Sequence, residues 1–183
     1  MIGWKSKRKV MQSYDVTAEM YDERYSEEQK RKFKKALENV EVTCTAVLDV
    51  GCGSGLFFQE IASNTTLVVG VDVSHNLLLK ARKKAEKFLN VFLLQADADH
   101  LPFTDRAFDA VFSFTVLQNL PKPKETLCEL ERVTKFSGEI AITGLKKAFP
   151  LKKFMDVLED SCLKVVAFAD NEDINCYIAV LAH

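Results

Sequence analysis

Residues 46 to 62 admit few folds. Ala46-Val-Leu-Asp-Val50 is an apolar run, Gly51-Cys-Gly-Ser-Gly55 alternates glycine with small residues, and Leu56 to Ala62 reads as a helix. Glycines at 51, 53 and 55 clear side chains from a strand-to-helix bend, so the backbone can turn sharply and approach a ligand closely. The helix, expected to begin near Ser54, would point unpaired N–H groups into that bend. Such a unit is a nucleoside site.

The spacing narrows the nucleoside. A dinucleotide loop runs G-x-G-x-x-G and seats a pyrophosphate on the helix end. Here the pattern is G-x-G-x-G, and Leu56 stands where the third dinucleotide glycine would fall. Asp49, just before the loop, would repel a pyrophosphate and attract an ammonium. A ligand with an amino-acid cation at one end and a ribose at the other fits these residues better than NAD, and S-adenosylmethionine is such a ligand.

The rest of the chain alternates strand and helix. Residues 11 to 40 are expected to be helical, with Tyr14, Ala18, Tyr21 and Tyr25 on one stripe and a capping box at Ser26 and Gln29 opening a second helix. The stripe is either internal packing or a lid over the glycine loop. Strands follow at 67–71, 91–95, 110–114 and 139–143. A helix capped by Ser74 and another opened by Pro123 lie among them, and Leu151, Phe154, Met155 and Leu158 mark a later one. The last two apolar runs, 163–168 and 174–181, have too short a link for a parallel crossover, which needs roughly a dozen residues or more, so they form an antiparallel hairpin. The expected fold is α/β: a Rossmann-like, seven-stranded, mostly parallel sheet with that C-terminal hairpin and helices on both faces. Residues 1–43 would form a short N-terminal helical lid, and residues 44–183 the main domain.

Composition excludes several classes. A net charge of −1 over 183 residues gives no strong field toward nucleic acid or membrane. The run Lys5-Ser-Lys-Arg-Lys9 reads as a solvated, flexible terminus. Five cysteines (44, 52, 128, 162 and 176) are odd in number and include no C-x-x-C pair, which argues against a zinc ribbon and a disulfide framework, and no metal site is expected. A reducing, cytoplasmic location follows, and no stretch approaches a membrane span.

Further carboxylates fall at strand ends, where open α/β sheets bind ligands. Asp72 ends the second strand about twenty residues past the loop, the separation at which an acid meets ribose hydroxyls. Asp97 ends the third, and Asp109 opens the fourth, where a structural role is expected. With these in place, the sequence resembles the class I S-adenosylmethionine-dependent methyltransferases, particularly the ubiquinone- and menaquinone-type branch. The resemblance rests on residues 47–55, Gly70-Val-Asp-Val-Ser74, Asp97 to Phe103 and Phe108-Asp-Ala-Val111, and extends from Tyr14 nearly to the C-terminus. It implies that Asp49 and the loop of Gly51, Cys52, Gly53 and Gly55 hold the methionine end. Asp72, beside Val73, would bind the ribose; Asp97 would take the adenine amine and the Ala98 N–H a ring nitrogen. Phe114 to Gln118 would flank the sulfonium, and the pairs Tyr14-Asp15 and Tyr21-Asp22 would close over the cofactor.

Acceptor chemistry is less marked. Ser113-Phe-Thr-Val-Leu-Gln-Asn119 replaces the Asn/Asp-Pro-Pro-Tyr/Phe loop that relatives use on amide nitrogens and base amines, and Asn119 stands where many carry histidine. Cys52 suits the loop as a small residue rather than a nucleophile, which leaves Gln118 and His100 as catalytic candidates. The short link after the fifth strand holds no inserted subdomain, which favours a substrate with its own walls, an RNA (tRNA or rRNA) or a protein. The basic helix positions Lys80, Arg82, Lys83, Lys84 and Lys87 could meet phosphate. A small-molecule O- or C-methyltransferase and a non-catalytic cofactor-binding scaffold are the alternatives. The third strand, Val91-Phe-Leu-Leu94, is apolar on both faces at an expected sheet edge: either helices cover both faces, or a partner completes the edge. Some relatives pair there with a small zinc-binding activator.

Overall fold

The computed structural model describes residues 2–43, 45–159 and 161–183, and the side chains of all of these except Ile2, Gly3 and Tyr21. Cys44 lies outside the described residues. Two helices, α1 (Ile2–Thr17) and α2 (Tyr21–Leu37), precede the strands β1 (Ala46–Val50), β2 (Leu67–Asp72), β3 (Val91–Gln95), β4 (Phe108–Ser113), β5 (Thr134–Leu145), β6 (Lys164–Ala169) and β7 (Cys176–Ala182). Helices α3 (Phe58–Ile61), α4 (His75–Ala85), α5 (Pro123–Val133) and α6 (Leu151–Glu159) connect them. The sheet runs β3-β2-β1-β4-β5-β7-β6. All pairs through β5 are parallel, while β7 is antiparallel to both β5 and β6. Strand order reverses between β1 and β4, which opens a crevice at their carboxyl ends.

Alternation along the strands divides the core in two. Val47 and Phe112 face one side with Phe33, Phe57 and Phe58, whereas Leu48 and Val50 face the other with Leu127, Leu130 and Phe154. Ser74 caps α4 by accepting from the Leu77 N–H at 3.2 Å, and Pro123 takes the first turn of α5, both as the sequence indicates.

Several local expectations are corrected. Lys5 to Lys9 is no loose terminus: it lies inside α1, and Lys7 is only 8% exposed. Ser26 is interior to α2 and caps nothing, because Asp22 and Glu23 already occupy an earlier helix start at Tyr21. A 3₁₀ turn at Ala18–Met20 breaks the tyrosine stripe, so Tyr25 is exposed while Tyr14 faces inward. The helix after the glycine loop begins at Phe58 rather than near Ser54, since positive φ at Gly51, Gly53 and Gly55 carries the chain through successive turns first. Helices do not cover both faces of β3, because the link from β3 to β4 (96–107) contains none. Val91 and Leu93 pack toward α4, while Phe92 (56% exposed) and Leu94 (38%) face outward.

Candidate functional site

The crevice is a cleft of about 700 Å³, counting its open mouth, walled by the β1 loop, the ends of β2 and β3, the turn after β4, and α1. Its floor follows from the backbone. Gly51 and Cys52 donate to the Val71 carbonyl at 2.7 and 3.0 Å, Gly55 donates to the Cys52 carbonyl, and Gly53 donates to the Asp72 Oδ2 at 2.8 Å. With these amides engaged and only a four-residue α3 behind them, the loop is a steric cradle rather than an anion seat. Pyrophosphate chemistry is thereby disfavoured on structural grounds.

Asp72 is 9% exposed and accepts from Gly53 and, at 2.8 Å through Oδ1, from the Ser74 amide. Burial raises its pKa although these amides pull the other way. Val73 and Ala98 line the cleft beside it. Asp97 also reaches the cleft, but Lys7 of α1 donates to both its oxygens, at 2.8 and 2.7 Å, and also pairs with Asp99. Burial, the largest influence on Lys7, lowers its pKa, yet the two carboxylates outweigh it and the net shift is upward. A carboxylate has about four lone-pair sites, so Asp97 can hold Lys7 and still accept from an amine.

Gly51 and Phe114 also border a smaller recess of about 270 Å³, counting its open mouth, with Cys52, Asp49, Gln29 and Phe33 among its walls. Asp49 is 2% exposed, and burial first, then the neighbouring Asp72 charge, push its pKa up to about 8. Because its unfolded value is near 3.8, the folded chain holds a proton that the unfolded chain has lost, so stability falls as pH rises between these values. Asp49→Asn is therefore expected to raise the melting temperature of the ligand-free protein at pH 8 by about 3 °C or more, with no gain at pH 4. Melting curves across that range check it. Burial also drives the Cys52 thiol well up, which is unsuited to a nucleophile.

Tyr14 lines the cleft, and its hydroxyl accepts from Asn119 Nδ2 at 3.0 Å. Burial raises the Tyr14 pKa, and an amide cannot take up a proton, so neither is a base at neutral pH. Tyr21 opens α2, and its side chain lies outside the described residues. Asp15 and Asp22, the acidic halves of the two Tyr-Asp pairs, dock the helices. Asp15 accepts from Ser74 Oγ and the Asn76 amide, and Asp22 accepts from Ser54 Oγ and Lys84 Nζ.

Gly55 is off the cleft walls, and a Cβ there would meet Phe58 at 2.4 Å. Gln118 turns its amide nitrogen to the Thr115 carbonyl and lies off the cleft walls. His100 is exposed in the β3–β4 link and also off those walls, and Asp109 bonds the Ala46 amide and Lys135 in a structural role. Sequence reasoning missed Lys7 and Gln29. For Lys7 the helical spacing of Lys7, Val10 and Tyr14 was the available signal, since all three line the cleft.

A methyltransferase-domain family profile matches residues 48–142. Phosphatidylethanolamine N-methyltransferase of Cereibacter sphaeroides is 32% identical over 138 residues, covering 74% of this chain and 67% of that protein. Demethylmenaquinone methyltransferase of Tropheryma whipplei (strain Twist) is 34% identical over 96 residues, 52% of this chain and 40% of that protein. The chain spans between 40% and 61% of the length of seven curated relatives, this one included. In the solved complex of the Haloferax volcanii Trm112 methyltransferase activator with a methyltransferase, one chain superposes with a TM-score of 0.80 at 18% identity, covering 94% of this chain and 96% of that one.

Proposed function

Because the chain belongs to the methyltransferase-domain family, in the class I S-adenosylmethionine-dependent group, we propose that it transfers the S-adenosylmethionine methyl to an acceptor held at the turn after β4. The observation that carries this reading is the placement of Asp49, Asp72 and Asp97 around one cleft system whose glycine floor offers no anion seat. Asp72 would hold the ribose, Asp97 and the Ala98 amide the adenine, and Phe114 to Val116 the wall beside the sulfonium. The cofactor supplies an activated methyl. The protein aligns the acceptor and excludes water, and alignment of this kind contributes roughly 7–11 kcal/mol. Beside the turn after β4 the cleft wall is formed by Phe114, Thr115, Val116, Asn119 and Tyr14, none of them a base at neutral pH, which favours an acceptor that needs none.

Residues 1–43 act as a lid over residues 44–183, fastened by Asp15, Asp22 and Lys7. The preferred acceptor is a macromolecule, RNA or protein, since α6 alone fills the β5–β6 link and encloses no substrate. The α4 cations support RNA only in part. Lys84 is paired with Asp22 and Lys80 donates to the Glu19 carbonyl, both at 2.7 Å, and exposed Arg82 pairs with Glu86 at 3.7 Å, which leaves Lys83 on the helix and Lys87 just past its end. No helix among the described residues is long and apolar enough to cross a membrane. The described cysteines 52, 128, 162 and 176 are free thiols, in keeping with a reducing, cytoplasmic setting.

The bare outer face of β3 supports a partner strand at that edge, from a small zinc-binding activator, and the Haloferax volcanii methyltransferase is likewise found in complex with an activator, Trm112. Co-expression with such an activator is expected to raise soluble yield, and Phe92→Arg to abolish the gain. A stable, fully active monomer would contradict the partner reading. The function itself is tested by transfer of labelled methyl into cell extract, fractionated into RNA, protein and small molecules. Label in RNA or protein is the expected result. Label in small molecules alone would favour quinone- or lipid-like acceptors, and none in any fraction would leave a cofactor-binding scaffold.

A further inference from the structure

Thr115, in the turn after β4, stands in the left-handed region at φ +64°, where the other described residues are Arg106 and the glycines of the loop after β1. A β-branched residue rarely adopts that conformation and keeps it only where its surroundings over-determine it. Here each of its polar groups is held. The Thr115 amide donates to Thr143 Oγ1 at 2.7 Å, its carbonyl accepts from Gln118 and Asn119, and its hydroxyl accepts from Lys32 Nζ at 3.1 Å. Lys32 belongs to no sequence motif, lies 83 positions away on α2, and is only 2% exposed. Glu28 pairs with it at 3.1 Å from one turn earlier, and Phe33 beside it packs on Phe114 at 4.9 Å, so this part of α2 is seated on the turn. Taking an ammonium out of water is costly, and an apolar side chain of similar length fills such a space without that cost. Packing alone therefore does not account for a lysine; what it adds is a directed donor at Thr115. The turn matters because Phe114, Thr115 and Val116 all wall the cleft, and Val116 leaves no room for a Cβ on Gly51.

We propose that Lys32 is a positioning residue: it locks Thr115 in the left-handed conformation and so sets Phe114 and Val116 at the sulfonium end of the cleft. The proposal rests on the reading that this cleft takes S-adenosyl compounds. Both N-terminal helices converge on the same residue, since α1 reaches Thr115 through Tyr14 and Asn119, whose side-chain amide bonds the Tyr14 hydroxyl and the Thr115 carbonyl. The helices thus do more than cover the cleft. They hold one of its walls in shape.

The test is a double-mutant cycle read by calorimetry with two ligands, S-adenosylmethionine and adenosine, the second carrying base and ribose but no sulfonium end. Lys32→Met keeps the length of the side chain and removes the donor. It is expected to weaken S-adenosylmethionine binding about tenfold, as loss of a hydrogen bond to a charged group does, and adenosine binding by less than about twofold. In the Thr115→Gly background the residue reaches the left-handed region freely and has no hydroxyl to hold. There Lys32→Met is expected to change S-adenosylmethionine affinity by less than about twofold. A similar loss in both backgrounds, a parallel loss of adenosine, or no loss with either ligand would overturn the role of Lys32. Should Lys32→Met fail to fold, Thr115→Val decides, because it keeps the shape and removes the hydroxyl. It must weaken S-adenosylmethionine binding about tenfold, and wild-type affinity would refute the proposal. Failure of the wild-type protein to bind either ligand would instead count against the cofactor reading itself.

Discussion

Gly51→Ala is expected to weaken S-adenosylmethionine binding about a hundredfold or more while leaving the sheet folded. Gly51 has φ +76°, and a Cβ built there would lie 2.2 Å from Val116 Cγ2. Alanine in the left-handed region costs about 1–2 kcal/mol by itself. The contact is worse, because Val116 is β-branched, stiff at χ1, and part of the cleft wall in the turn after β4. Either Val116 moves into the ligand space or Gly51 leaves its turn and breaks the 2.7 Å bond from its amide to the Val71 carbonyl. Both outcomes shift the floor at the place proposed for the sulfonium end, and a displacement of about 1 Å can cost two decades. Calorimetric titration reads the loss, and an unchanged far-ultraviolet dichroism spectrum separates it from unfolding. Retained affinity would mean that the loop is not the floor of the cofactor site.

Asp72→Ala ranks second, with binding expected to fall by one to two decades. The carboxylate has two tasks, since its oxygens accept the Gly53 and Ser74 amides, each at 2.8 Å, and its remaining lone pairs face the cleft. Removing it releases the glycine loop from β2 and takes away the acceptor proposed for the ribose hydroxyls. A hydrogen bond to a charged group contributes roughly 1.5–3 kcal/mol, which sets the expected range. 5′-Methylthioadenosine, which shares the ribose but lacks the amino-acid end, should lose affinity in parallel. An unchanged dissociation constant would remove Asp72 from the site.

What the sequence made legible divides along physical lines. The sheet could be read because strand runs such as Val47 to Val50 and Ile178 to Leu181 are buried and apolar, and because the short link before β7 forbids a parallel crossover. The cleft carboxylates could be read because strand tips converge at the point where strand order reverses. The N-terminal helices were harder, since their docking is polar and distant in sequence. Lys7 meets Asp97 across 90 positions, and Asp15 meets Asn76 across 61. Periodicity alone cannot announce such pairs, so a buried lysine looked like part of a solvated run. Gln29 escaped for a related reason: a polar side chain in a charged helix carries no signal that its turn faces inward. The missing helix between β3 and β4 is written in residues 96–107, where Pro102 and repeated turn formers interrupt any apolar period, and its consequence is the bare face of Phe92 and Leu94.

One measurement bears on the central claim most directly: titration of the purified protein, in parallel, with S-adenosylmethionine and with NAD. Saturable binding of S-adenosylmethionine, lost in Gly51→Ala, with no heat from NAD, is the predicted result. Binding of NAD in its place, or of neither compound, would contradict the account.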